Sequence, residues 1–211
     1  MKENMGTNKK IKNIPINDLL KCFNISILDD TEIIDFLSDN GEAFNLDLFP
    51  FIIDDYQKYN QVEIFYQRYL DGDLTKQEFE TNEQKYHQFI KTLWLYNDVY
   101  VQVAIDSIEF KERQNYINKT IKLKRNNEFL LQAAENFKIA NLVDSLKNLD
   151  SLLLIATREI SHVLFYFMDF KLIIGLFGCS AIIYFGDQSM YAEVLDIARH
   201  NQLYLLRCDN Q

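Results

Sequence analysis

Residues 172–185 form an uncharged run of fourteen, divided in the middle by Gly178-Cys179. A membrane-spanning helix needs about 20 apolar residues, so the run is too short for one. Extending it back to 163 brings in Asp169 and Lys171, each costing about 2.5–3.5 kcal/mol near the centre of a spanning helix. The two halves, 171–177 and 180–185, read instead as β-strands joined by a two-residue turn whose glycine can adopt positive φ. Both faces of that hairpin are apolar, so it must be covered on both sides. The expectation is a buried hairpin and no membrane partner.

The surrounding periodicities supply the covers. After Asp150, the residues Leu152, Leu153, Ala156, Ile160, Val163, Leu164 and Phe167 recur at helical spacing, and Asp187 can cap a second helix over 188–200. A strand at 203–206 closes the chain. Upstream, Phe79, Tyr86, Phe89, Ile90, Leu93, Trp94, Val101, Ala104, Ile105 and Ile108 predict one long helix. Thr75 followed by Glu78 suits a capping box at its start. The β-branched run 99–103 is assigned to this helix because three-and-four spacing persists on either side. Shorter helices are expected at 17–23, from Asp29 or Asp30 to Gly41, from Pro50 through Tyr69, at 129–137 and at 139–146. The fold class that follows is α+β and predominantly helical. A flexible lead-in (1–15) precedes an acidic helical region (16–148), packed onto a small C-terminal α-β-β-α-β unit (149–211) and integrated with it into one fold.

Charge narrows the range of partners. The chain carries 31 acidic and 22 basic residues, a formal charge of -9, which disfavours a phosphate backbone and so nucleic acid. Fifteen acids fall within 29–83 against Lys58, Arg68 and Lys76, whereas 111–125 holds six bases and one acid. Such asymmetry suits an acidic face offered to a basic protein. Cys22, Cys179 and Cys208 are odd in number and widely spaced, as expected of thiols in a reducing cytoplasm rather than a disulfide scaffold. Residues 1–12 lack the apolar run of a signal peptide.

Chemical motifs are sparse. The sequence lacks HExxH, a P-loop, GxGxxG and GxSxG. His87, His162 and His200 have no cysteine at metal-ligand spacing, so no metal and no cofactor is expected. Asp71-Gly72-Asp73 fails as a calcium loop, because Thr75 and Lys76 stand where an oxygen ligand and a glycine are required. Asp169-Phe170-Lys171 has the acid-x-Lys form of a divalent-metal nuclease centre, for which Glu159 is the nearest further carboxylate. That triad, Glu159 with Asp169 and Lys171, is the one enzymatic alternative, a metal-dependent phosphodiesterase or nuclease.

The leading expectation is a cytoplasmic protein-interaction module, an immunity- or antitoxin-like inhibitor that occludes a basic partner. Its contact residues are Asp54, Asp55 and Glu63 for charge, with Tyr56, Tyr59 and Tyr66 for contact area. A membrane-associated or oligomer-building structural protein is the remaining alternative, and homo-oligomerisation is compatible with the inhibitor reading.

Overall fold

Seven antiparallel pairings join eight strands into one sheet in the order β1-β4-β3-β5-β6-β7-β2-β8. The structure, a computed structural model, describes residues 13–26, 33, 36–37, 43–104, 128–136 and 138–207. The strands are β1 (Asn13–Pro15), β2 (Ala43–Asp47), β3 (Val99–Ala104), β4 (Ile139–Leu142), β5 (His162–Phe167), β6 (Leu172–Phe177), β7 (Ser180–Phe185) and β8 (Tyr204–Arg207). The helices are α1 (Ile16–Lys21), α2 (Tyr56–Val62), α3 (Tyr66–Asp71), α4 (Lys76–Trp94), α5 (Glu128–Glu135), α6 (Leu146–Thr157) and α7 (Tyr191–His200).

The expected α+β fold with a small C-terminal sheet unit is therefore corrected: the sheet draws strands from nearly the whole chain. Four strands, β1 to β4, lie in segments assigned to the lead-in or the helical region. The long helix stops at Trp94, and 99–104 is a strand paired with β5 in full register from Val99↔Phe167 to Ala104↔His162. The helix expected to run on to Phe167 stops at Thr157, is capped by Ser145 rather than Asp150, and hands over to β5. Residues 139–142 pair with β1 and β3 instead of coiling. The helix expected from Pro50 is replaced by an irregular stretch and two short helices, α2 and α3.

One physical cause accounts for the two central strands, β3 and β5. On β5, Val163, Phe165 and Phe167 enter one core while Leu164 and Tyr166 enter the other. A strand wet on neither face shows no polar alternation, and its apolar run imitates a buried helix. The first core gathers α3, α4, α5, α6 and α7 over Val101, Phe165, Ile174 and Ile183. The second is smaller, with α1, Phe23, Ile25 and Leu37 over Tyr100, Tyr166, Ile173 and Tyr184. Within it, the Tyr166 hydroxyl donates to Gln102 Oε1 at 2.7 Å, so a polar pair is buried without an orphaned atom.

Several local expectations agree with the structure. Phe177 pairs with Ser180 across Gly178-Cys179, and Gly178 has φ +61°, as a glycine-first hairpin requires. Thr75 and Glu78 form both halves of a capping box. Asp187 accepts from the Ser189 N–H in the 3₁₀ turn that leads into α7. No helix among the described residues is long and apolar enough to cross a membrane. The expected helix starting at Asp29 or Asp30 falls largely outside the described residues, as do the basic segment 111–125 and Cys208.

Gly186 packs directly against the backbone of Phe23 and Lys171. A Cβ there would stand 3.1 Å from the Phe23 carbonyl oxygen and 3.2 Å from that of Lys171, both backbone atoms. Gly186→Ala is expected to lower stability by about 1–3 kcal/mol, as overpacking does, with the loss read from the urea midpoint at unchanged m-value.

Candidate functional site

Two features at one end of the sheet stand out, a buried polar cluster and an exposed arm. The cluster begins on α4. Glu83 and His87 are one turn apart on its inner face, and both are buried against the C-terminal end of α6. There Arg158 closes a bidentate pair on Glu83, with Nε to Oε1 at 2.9 Å and Nη2 to Oε2 at 3.2 Å. The Thr157 hydroxyl lies 2.9 Å from Glu83 Oε1, 2.9 Å from the Leu153 carbonyl and 3.2 Å from His87 Nε2. A neutral His87 protonated on Nε2 donates to Thr157, whose own proton then goes to one of the two oxygens.

Burial pushes the His87 pKa down to about 4, more than the neighbouring Glu83 charge raises it. Burial also opposes the Arg158 charge, but the hydrogen bond and charge of Glu83 outweigh it and the pKa rises. Arg158 further lies 5.6 Å above the Tyr66 ring, a cation–π contact that ties α3 to the cluster. Cys179 sits beside these groups, and burial, aided by the Glu83 and Glu159 charges, raises its thiol pKa. That disfavours a reactive thiolate.

The arm is the chain between β2 and α3, residues 48–65. It leaves the sheet through a turn in which Asp47 Oδ1 accepts from the Phe49 N–H at 3.0 Å. Asp55 caps α2 by accepting from the Lys58 N–H at 3.1 Å. The Phe49 and Tyr59 rings meet edge to face at 6.5 Å. The Tyr59 hydroxyl is pushed up to about 12 by burial and then by the charges of Asp47 and Glu63. Yet α2 contributes no buried residue. Just before it Phe51 is 78% exposed and Ile52 51%, and its first residue, Tyr56, is 73% exposed. Three large apolar side chains this close in sequence and this open to water make the arm a candidate interaction site.

The sequence-derived contact residues divide accordingly. Asp54 and Tyr56 are exposed on the arm, and Asp55 is exposed but already serves as the α2 cap. Tyr59 and Glu63 are half-buried. Tyr66 is 5% exposed and packs on Phe79 and Tyr69, so it belongs to the core and offers no contact area. Sequence reasoning missed Phe51 and Ile52, because apolar residues beside Pro50 read as helix core. The proline itself was the signal that the segment need not be regular.

The enzymatic triad does not assemble. Glu159 precedes β5 and Asp169 follows it, so the six-residue strand holds them roughly 20 Å apart at about 3.3 Å per residue. Asp169 accepts from the Asp98 N–H at 3.1 Å in the β5–β6 loop, and Lys171 Nζ lies 6.0 Å over the Phe23 ring. Among the described residues no group of His, Cys, Asp and Glu is placed to hold a metal ion. His162 is exposed on β5 and stacked on Phe177 at 4.1 Å, not within a helix as expected. Comparison with protein families, curated proteins and solved structures gives no match to this chain.

The cluster generates two predictions. Arg158→Ala leaves a fully enclosed carboxylate unpaired, at a cost of about 3–5 kcal/mol. Glu83→Ala costs less because Arg158, 19% exposed, can reach water. A double-mutant cycle in urea is expected to give a total well below the sum of the two. His87 carries the second prediction. Its folded pKa lies below the unfolded value of 6.5, so the unfolded chain binds its proton first as pH falls. The His87 contribution is complete above that value and is lost as pH drops towards 4, by about 3 kcal/mol in all. Asp47, Glu63 and Glu159 have raised pKa values and act with opposite sign. The comparison is therefore wild type against His87→Gln: the wild type is expected to lose more stability between pH 7 and pH 5.

Proposed function

We propose that this chain is a cytoplasmic protein-interaction module of the immunity- or antitoxin-like inhibitor type, which occludes a basic protein partner. The observation that carries this reading is the arm, where Phe51, Ile52 and Tyr56 stand exposed beside Asp54 and Asp55 on a segment whose helix adds nothing to either core. Between 47 and 63 there are four acids, Asp47, Asp54, Asp55 and Glu63, against Lys58. Charge of one sign steers an oppositely charged partner and sets orientation, while desolvated aromatic anchors supply most of the binding energy. In this mechanism Phe51 and Ile52 enter an apolar recess on the partner, the acids meet its lysines and arginines, and the bulk of the sheet and helices blocks the surface beneath.

A second, oligomer-building reading is favoured by Leu95, Tyr96 and Leu146, exposed at 69%, 64% and 48% at the C-terminal end of α4 and the first residue of α6. Light scattering over a concentration series separates it from the first, since Leu95→Asp abolishes a self-association built on that patch and leaves an arm-mediated complex intact.

The inhibitor reading is tested by affinity capture from cells that express the protein natively. Wild type is compared with Phe51→Ala/Ile52→Ala and with Asp54→Asn/Asp55→Asn. A basic protein is expected on the wild type, with at least tenfold weaker retention on the apolar double variant through faster dissociation. The acid variant is expected to associate more slowly and to lose salt dependence. Retention of the same proteins by all three forms sinks the reading.

A further inference from the structure

The C-terminal end of α6 is a Schellman motif with an unusual occupant. The Ile160 N–H reaches back to the Ile155 carbonyl at 2.9 Å and the Glu159 N–H to that of Ala156 at 3.1 Å, the two bonds that define the motif. Its left-handed position is one that glycine fills without strain, whereas here it is Glu159, with φ +57°. A non-glycine residue held at positive φ directs attention to what its side chain does.

That side chain crosses to a different part of the chain. Glu159 Oε1 accepts from the Tyr66 N–H at 2.8 Å, ninety-three residues away, and the Gln67 backbone also bonds the carboxylate. These are first-turn N–H groups of α3, which have no partner within their own helix. Phe65, at the cap position of α3, makes no side-chain cap bond, so Glu159 does from a distance what a capping residue does locally. The carboxylate also lies over the β6–β7 turn, 3.4 Å from where a Gly178 Cβ would stand, and the Gly178 N–H bonds the Ala156 carbonyl at 2.9 Å. The acceptor is thus fixed at once by the end of α6 and by the hairpin.

The arm runs between two anchors. One is the end of β2, where Leu46 is paired in the sheet and its carbonyl accepts from the Tyr86 hydroxyl at 3.2 Å. The other is the start of α3. We propose that Glu159 is the positioning residue of the arm: by capping α3 from the end of α6, it holds the 48–65 segment in one pose and presents Phe51, Ile52 and Tyr56 preorganised. The docking role rests on the reading above, but the mechanical role does not. Preorganisation matters because a contact loop ordered only on binding loses affinity to the ordering.

The experiment uses backbone ¹⁵N order parameters of the intact chain without any partner. Glu159→Gly removes the carboxylate at a position where glycine is unstrained, and Glu159→Gln keeps an oxygen acceptor. In Glu159→Gly the α2 amides, none of which touches Glu159, are expected to fall from the rigid range of about 0.85 to below about 0.6. Amides of β5, β6 and β7 are expected to stay unchanged, and Glu159→Gln to restore most of the loss. Order parameters of α2 equal to wild type in Glu159→Gly overturn the proposal, and so does a loss spread evenly over α2 and the central strands. A failed capture experiment with a normal order-parameter result removes the docking reading and leaves Glu159 as the anchor. The reverse outcome removes Glu159 alone.

Discussion

The central strands β5, β6 and β7 are buried on both faces, and that constraint governs the rest of the molecule. Phe165, Ile174 and Ile183 point to one side and Tyr166, Ile173 and Tyr184 to the other. Neither set can face water without losing the hydrophobic stabilisation of large side chains, about 1.5–3 kcal/mol for each. Two covers are therefore required. Helices α3 to α7 provide the first, and the N-terminal helix with the segment after it provides the second. The first and last described strands lie at opposite edges of the same sheet.

Helix placement over the first face depends on a few polar contacts set in an apolar layer. Glu83 with Arg158 joins α4 to the end of α6, and Lys91 with Asp150 at 2.7 Å joins the same helices nearer the other end. Together these pairs hold the two helices antiparallel and in register. Desolvation offsets much of the attraction within the buried pair. The consequence of the pair is geometric: Arg158 also reaches Tyr66, and the next residue, Glu159, caps α3. The two residues that follow α6 thus reach the segment from which the arm emerges.

How much of this is legible in the sequence depends on whether the signal is local. The Gly178-Cys179 hairpin and the Thr75–Glu78 capping box both follow from neighbouring residues, and both are present. Runs 99–104 and 162–167 read as helix because their second face is also dry, which erases the alternation that identifies a strand. For the candidate site, the acids and Tyr56 were recognisable from composition. Tyr66 was not separable from Tyr56 in the sequence, although one is core and the other is 73% exposed.

By itself the sequence determined an acidic chain with an enclosed hairpin, because net charge and a fourteen-residue uncharged run divided by a glycine turn are properties of adjacent residues. Tertiary structure alone decided that nearly the whole chain feeds one sheet, that Glu159 and Asp169 stand at opposite ends of β5, and that Phe51 and Ile52 face water. The physical reason is the same in each case. Strand pairing and two-sided burial are long-range cooperative choices, and an apolar residue does not carry in its own side chain the identity of the surface that will cover it.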